Sequence, residues 1–258
     1  MKKPLFVILF TLSFSAFSQK NSITVYTEPS DVKHRFYVGT VFPLRMDAGY
    51  EFQYKHLQIG GFVGFTPKKF QSLVFEILER IKPEYVGEIN YLRFTAIPKI
   101  QFGGELKLDI GRGWSVGGTA QTFNATLTDT PKNIVEGILP EKVNFINAVL
   151  NDPTLIPNIK DVKNAYNTKI VDAYMNSIIA GPVLEKTLWL NTQETIFIRG
   201  KASYWFLVTK ENDLLTKDFT STEQIGLDAF KTDFLSKLEK ISSKLQAPSI
   251  GLELGISF

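Results

Sequence analysis

The chain has 258 residues, a formal net charge of +3 and no cysteine. The lack of cysteine excludes disulfides, thiol nucleophiles and thiolate metal sites. The small net charge gives no reason to expect a nucleic-acid partner. The sequence contains no Gly-x-Ser-x-Gly motif, no phosphate-binding glycine loop and no metal-spaced histidine cluster. We therefore predict no catalytic residue, no cofactor and no metal ligand.

The first residues have the form of a secretion signal. Met1-Lys2-Lys3 is a short basic region, residues 4–17 are mostly apolar, and Ala16 and Ser18 are small side chains at the positions that determine cleavage. We predict a signal peptide at 1–18 and an N-terminal periplasmic arm at 19–33. No later stretch offers roughly eighteen uninterrupted apolar residues, which excludes a protein that crosses a membrane as helices.

From residue 34 onward, apolar and polar residues alternate with period two in several stretches, as in half-buried strands. The predicted strands are 35–42, 44–54, 57–65, 94–110, 114–127, 178–190, 195–209 and 249–258. Residues 35–54 could form one long strand, but a turn at Phe42-Pro43-Leu44 would keep both halves in register with their neighbours. We therefore predict a hairpin there. Short turns at 55–56, 111–113 and 191–194 alternate with three long inserts.

The long inserts, at about 66–93, 128–177 and 210–247, contain segments with helical spacing of apolar residues. Residues 69–81 and 221–246 are the clearest, each with apolar residues on one face, and prolines interrupt the middle insert. Such apolar stripes need covering in water. They could pack on one another as a cap over a barrel mouth, bind a protein partner, or contact lipid.

The last predicted strand places five apolar residues on one face without exception. They are Ile250, Leu252, Leu254, Ile256 and Phe258. This strand resembles the closing strand of outer-membrane β-barrel proteins, whose terminal Phe is an assembly signal for the barrel-assembly machinery. The whole pattern of eight strands, with short turns at one end and long loops at the other, resembles small outer-membrane barrels of the OmpA and OmpX type.

The resemblance implies an all-β transmembrane protein, an eight-stranded antiparallel up-and-down outer-membrane β-barrel over residues 34–258. It implies a Gram-negative-type outer membrane, with periplasmic turns and three long, partly helical extracellular loops. The implied partners are outer-membrane lipid and the barrel-assembly machinery, with a possible extracellular or envelope protein at the loops.

On the face opposite the apolar one, the predicted strands carry charged residues of both signs. They are Arg45, Asp47, Glu51, Lys99, Glu105, Lys107, Asp109, Glu185, Arg199, Lys201 and Glu253. Side chains can fill the interior of an eight-stranded barrel, and unpaired charges there would be costly. We predict a salt-bridged plug; a narrow polar path is the alternative. Glu105 and Asp109 could in principle act as an acid and a base, but an ion network also explains them.

Three functions fit this pattern. The first is a non-enzymatic outer-membrane barrel with a plugged lumen, which displays a helical extracellular cap for binding or for envelope integrity. The second is a barrel that transports a small solute. The third is a soluble secreted β-barrel that binds an apolar ligand, because periodicity alone cannot say which strand face lies inside.

Overall fold

A computed structural model describes residues 32–258, except 153, 155–157, 217 and 244–245, and leaves the side chains of 222, 225, 226 and 229 undescribed. The predicted signal peptide and residues 19–31 of the predicted arm lie outside the described residues. Val32 and Lys33, which we assigned to that arm, belong instead to the first strand.

The described residues form nine strand segments. They are β1 (Val32–Phe42), β2 (Arg45–Tyr54), β3 (Leu57–Phe65), β4 (Ala96–Pro98), β5 (Gln101–Gly111), β6 (Trp114–Asp129), β7 (Val171–Trp189), β8 (Ile196–Leu215) and β9 (Gln246–Ser257). Both β4 and β5 pair with β6, so they are two parts of one wall strand. Every pairing is antiparallel, and β9 pairs back onto β1, for example Leu254 with Val38. The result is a closed up-and-down barrel of eight wall strands.

The turns at 55–56, 111–113 and 191–194 lie at one end of the barrel, which we name the turn end, and the long inserts lie at the other, the cap end. The hairpin predicted for residues 35–54 is confirmed, with its turn at Pro43-Leu44 on the cap end. At the turn end, Gly111 and Gly113 adopt φ values of +90° and +75°. Few side chains tolerate that conformation, so glycine suits this turn between β5 and β6.

Six helices occupy the inserts. They are α1 (Lys68–Ile81), α2 (Val86–Thr95), α3 (Pro131–Ile138), α4 (Val143–Val149), α5 (Ile159–Thr168) and α6 (Ser221–Ser242). The sequence did not predict α2, and Phe94, which we placed at the start of a strand, lies on that helix. Among the described residues, no helix combines the length and the apolarity needed to cross a membrane.

The wall strands turn their apolar face outward and their charged face inward. Phe36, Leu106 and Ile250, for example, are roughly half exposed on the outside of the barrel, while Glu51 and Arg199 are fully buried inside it. This is the reverse of what the soluble, apolar-lined alternative requires. An apolar exterior around a polar interior is the arrangement of barrels that lie in a bilayer.

Strands β6, β7 and β8 are longer than predicted because they continue beyond the barrel. Residues 171–177 and 210–215 extend the β7–β8 ladder, in which Asp172 pairs with Leu215. A bulge in β8 leaves Val208 unpaired, because Ile178 pairs with Thr209 and Ile179 with Leu207. A bulge shifts which side chains face inward, and Leu214, beyond it, is buried under the helices.

The helices pack on this extended sheet and on one another, and we name the assembly the cap. Its core joins residues of all three inserts, including Leu92 of α2, Ile134 of α3 and Phe234 of α6, each nearly or fully buried. The apolar stripes recognised in the sequence are therefore covered by one another and by the strands.

Candidate functional site in the barrel interior

The interior of the barrel is filled by a group of eight charged side chains that we name the charge cluster. Its members are Arg35, Glu51, Glu105, Lys107, Glu185, Arg199, Lys201 and Glu253. They come from six strands, and period-two alternation points all of them toward the barrel axis. Four acids face four bases, so the cluster is neutral as a whole.

Lys107 lies at the centre of this cluster. Its Nζ lies 2.6 Å from Glu51 Oε2, 3.0 Å from Glu105 Oε2 and 2.6 Å from Glu185 Oε2. The ammonium group has three donors, and each of them has a carboxylate partner. The lysine side chain is fully buried, as are the three carboxylates that it contacts.

Two cations on β8 connect the remaining carboxylate, that of Glu253, to the centre. Lys201 Nζ lies 2.6 Å from Glu253 Oε1 and 2.7 Å from Glu105 Oε1. The Arg199 guanidinium lies 3.0 Å from Glu51 and 3.3 Å from Glu253. Each acid thus touches at least two cations, which compensates for removing it from water.

The carboxylates of Glu51, Glu105 and Glu185 have oxygens within 4.8 Å of one another, close enough to hold a metal ion. The Nζ of Lys107 contacts all three, so a protein cation occupies the position that a metal would take. The three carboxylates thus share a cation that the chain itself supplies.

The structure separates four of the predicted charges from the cluster. Arg45 and Asp47 form their own buried pair nearer the cap end, with Nε 2.6 Å from Oδ2. Asp109 is half-buried at the turn end, where it accepts a bond from the Gly111 N–H. The prediction that Lys99 points into the lumen is wrong. It lies in the irregular stretch between β4 and β5, where one extra residue relative to β6 leaves Lys99 and its neighbour both exposed.

Arg35 is the one member of the cluster that we did not predict from the sequence. Its Nη1 donates to Glu51 Oε1 at 2.7 Å, and it is almost fully buried. The sequence pattern could have predicted this, because Arg35 is an even number of positions away from the other inward-facing residues of β1. The prediction of inward charges began ten residues too late, at Arg45.

Aromatic rings fill the space that the charges leave. Tyr37, Phe62 and Phe197 are buried inside the barrel. The rings of Tyr37 and Phe62 lie against Gly49 and Gly103 on neighbouring strands, where a Cβ atom would collide with the ring. These two glycines are required by close approach, which is a common reason for glycine in a strand.

An apolar layer closes the barrel at the cap end. Val41, Leu44, Ile179 and Trp205 pack with Val74 of α1, and the five side chains are nearly or fully buried. The cavity left beside them measures about 10 Å³, about the minimum space for a single water molecule. The inward path from the cap end is therefore filled by protein.

The turn end is open by comparison. A polar cavity of about 380 Å³ lies there, which we name the vestibule, lined among others by Arg35, Gln53, Asp109 and Trp189. It reaches inward as far as the charge cluster, because Arg35 belongs to both. The interior thus has an open polar mouth at one end and an apolar seal at the other.

Phe258 lies at the turn end on the outer face of the barrel. Its ring stacks on those of His34 and Phe36, with centroids 5.8 Å and 5.7 Å away. Its N–H donates to the carbonyl of His34 at 3.0 Å, which ties the end of the last strand to β1. The group resembles one segment of the aromatic girdle of membrane barrels.

The cap is held by its own ion pairs. Lys237 of α6 lies 3.0 Å from both Glu88 of α2 and Glu141, so it connects all three inserts. Partial burial lowers the pKa of Lys237, but its hydrogen bonds to the two carboxylates outweigh that effect and leave the pKa above its usual value.

A second polar contact in the cap fixes the start of α6. Thr220 and Glu223 form a capping box, and Lys169 donates to Glu223 at 2.7 Å. The hydrogen bonds from Lys169 and from the Thr220 N–H hold the pKa of Glu223 below its usual value.

A closed antiparallel barrel of eight wall strands, apolar outside and charged inside, has the architecture of outer-membrane β-barrel proteins. The fold class predicted from the sequence is confirmed in this respect. The assignment rests on the strand pairing and on the two faces of the wall.

Comparison with solved structures returns proteins of that description at low similarity. CarO of Acinetobacter baumannii has 9% identity and a TM-score of 0.33, over 90% of this chain and 100% of that one. CarO2 of the same organism has 9% identity and a TM-score of 0.34, over 88% and 98%. A major outer membrane protein from Thermus thermophilus has 7% identity and a TM-score of 0.39, over 89% and 100%. No protein-family model and no curated protein sequence matches the chain.

Proposed function

We propose that this protein is a non-enzymatic outer-membrane barrel with a closed lumen, which anchors the helical cap at the outer surface of the cell. In this proposal the turn end faces the periplasm and the cap end faces outward. The cap serves binding or envelope integrity. The observation that supports the proposal is the charge cluster, because its eight buried side chains occupy the barrel interior and its acids and bases pair with one another.

Solute flux tests this proposal directly. Refolded protein in liposomes or planar bilayers should give ion conductance and small-solute uptake at the level of protein-free lipid. A protein that conducts steadily in its wild-type form would contradict the closed lumen. Deletion of residues 68–95 tests the charge cluster separately from the apolar layer. It removes Val74, and with it part of the apolar layer, but leaves the charge cluster in place.

The vestibule favours a second candidate, a small-solute channel whose path opens when the cap moves. Glu253→Ala separates the two functions. In a plug, the mutation removes two contacts to buried cations and should cost on the order of 3–5 kcal/mol of unfolding free energy, with flux unchanged. In a channel, it should change ion selectivity with little loss of stability. Glu211→Ala, which removes an exposed glutamate on β8, is the matched control.

We also propose that Phe258 takes part in assembly into the outer membrane. Its support is the alternating apolar face that ends on it and its stacking on His34 and Phe36. Phe258→Ser should lower the amount of folded, membrane-embedded barrel in cells and increase degraded or periplasmic material. Wild-type amounts of heat-modifiable barrel in that mutant would refute this role. Phe102→Ser, which alters an exposed aromatic elsewhere on the wall, is the control.

A further inference from the structure

The outer wall of the barrel has an apolar groove of about 770 Å³ on the face formed by β1, β2, β3 and β9. Small residues form its floor, among them Thr40 and Ala48, and Met46, Phe65 and Ile100 form its cap end. Its side chains belong to the outward face of the barrel, so in a membrane the groove faces lipid. A groove of this size and composition fits one acyl chain.

Three lysines lie at the cap end of this groove. Lys68 and Lys69 follow Phe65 by three and four positions, and Lys99 directly precedes Ile100. Phe65 and Ile100 are neighbours, because the β3–β5 ladder pairs Gly64 with Gln101 just before them. Four residues of chain reach at most about 14 Å, so the backbone of Lys68 and Lys69 lies within that distance of Phe65, and Lys99 adjoins Ile100.

The side chains of these lysines have no polar partner among the described residues. No ion pair or side-chain hydrogen bond in that part of the chain involves Lys68, Lys69 or Lys99, and all three are exposed. Lysines on the other side of the cap end differ in this respect. Lys210 pairs with Glu239 at 2.9 Å and Lys231 with Asp213 at 3.3 Å.

Helix stability does not explain the unpaired positive charge. Lys68 and Lys69 occupy the first turn of α1, and this turn contains no acidic residue. Cations at that end of a helix are disfavoured by the helix dipole. An apolar groove whose cap-end residues are followed or preceded in the chain by three unpaired lysines is complementary to an amphiphile with an anionic head.

We propose that this groove binds a membrane lipid whose headgroup carries phosphate and a net negative charge, with an acyl chain along Ala48 and the phosphate against the three lysines. The inference rests on the membrane placement proposed above. It adds a specific lipid site on one side of the barrel, at the membrane surface where the cap begins.

Native mass spectrometry of the folded protein in a zwitterionic detergent tests the site. The probes are dipalmitoyl phosphatidylglycerol, dipalmitoyl phosphatidylcholine and inorganic phosphate. The wild type should retain phosphatidylglycerol in preference to phosphatidylcholine, and inorganic phosphate should compete poorly. Replacing Lys68, Lys69 and Lys99 together by Gln should weaken phosphatidylglycerol retention about 100-fold, at about fivefold for each lysine near an anionic surface.

Two matched controls make the result specific. Gln in place of the exposed cap lysines Lys132, Lys160 and Lys163 removes the same charge and should leave retention unchanged. Ala48→Phe fills the groove floor and should weaken retention of the long-chain lipid, while Ala202→Phe elsewhere on the outer wall should not. The heat-modifiable electrophoretic mobility of each variant verifies that its barrel is folded. A loss of phosphatidylglycerol retention in a folded variant is then due to the altered site and not to unfolding.

Equal retention by the wild type and the Lys68, Lys69 and Lys99 variant would overturn the proposal. So would an equal loss in the cap-lysine control, which would indicate a general charge effect. Effective competition by inorganic phosphate alone would show an ion site without a lipid and would also overturn it.

Discussion

The barrel interior and the cap interior are built by opposite rules within one chain. Inside the barrel, buried side chains such as Lys107 and Glu185 are charged, and the outside is apolar. Inside the cap, buried side chains such as Phe234 and Ile134 are apolar, and the charged residues lie mostly on the surface.

Strand β7 passes through both regions and shows what decides between them. Glu185 and Ala173 lie on the same face of this strand, twelve residues apart. Glu185 meets the charge cluster, whereas Ala173 is fully buried in the cap core. The strand geometry is the same in both places. In the proposed membrane placement, what differs is the outer surroundings, lipid for the wall and water for the cap, and each region places the compatible surface outward.

The largest expected effect comes from removing the centre of the charge cluster. Lys107→Met should destabilise the barrel by an amount in the upper part of the range of about 3–5 kcal/mol, because three carboxylates lose their shared cation. Guanidinium chloride unfolding of detergent-refolded protein measures it. Lys99→Met, which removes an exposed lysine, should change stability by less than about 0.5 kcal/mol. Similar effects of the two mutations would show that the cluster does not hold the barrel together.

The stability of the cap should depend more on the packing of its apolar side chains than on any single charge. Phe234→Ala removes a fully buried ring and should cost about 3 kcal/mol of cap stability, with little effect on the barrel. Limited proteolysis of the inserts should then be faster, while the heat-modifiable mobility of the barrel is retained. Phe145→Ala, on an exposed side chain of α4, is the control. Unfolding of barrel and cap together in the Phe234 variant would mean that the two regions form one cooperative unit.

The smallest expected effect is a pH dependence that belongs to the cap. The pKa of Glu223 is depressed in the folded protein, so its stabilising contribution is present above the unfolded value of about 4.3 and is lost as the pH falls through the folded value. Thermal melting of the helical circular dichroism signal should show this loss as the pH falls below the unfolded value. Glu223→Gln should lower stability at neutral pH and flatten that pH dependence. An unchanged profile in this variant would exclude Glu223 as the source.

The sequence predicted the wall of the barrel well because one face of each wall strand is apolar and the other polar, which produces a strict alternation. The turn at Pro43-Leu44, the pairing of β1 with β2 and the inward face of β5 all follow from period two. The cap was predicted less well. Helix α2 has apolar and polar residues on every side, so its buried face comes from packing against other inserts and is not visible as a stripe. On β7 and β8, the inward-facing side chains change from polar in the barrel to apolar in the cap, and the unpredicted extensions lie on the apolar side of this change. The alternation alone does not show where it occurs.

The interior charges were predicted as a set, but of their partners only the contacts of Glu253 with Arg199 and Lys201 were predicted. Period two identifies the residues that point inward, as for Glu51 and Lys201. Which cation meets which acid depends on strand register and side-chain reach across the barrel, such as the contact between Lys107 on β5 and Glu185 on β7. The misplacement of Lys99 has a similar cause, since a single extra residue in the wall changes which side chains face inward.

The three-way contacts of Lys107 have a consequence for how this protein can vary among descendants. A substitution at Glu51, Glu105 or Glu185 alters a cation that two other acids share, so its effect depends on the residues present at the other positions. Single replacements are therefore disfavoured, and acceptable change requires compensating pairs that keep the group neutral. On the outer wall, Leu106 and Ile250 are exposed and share no ion with other residues, so in the proposed placement they can exchange with other apolar residues one at a time. Descendant sequences should thus drift freely on the outside of the barrel and change inside it only in coordinated steps.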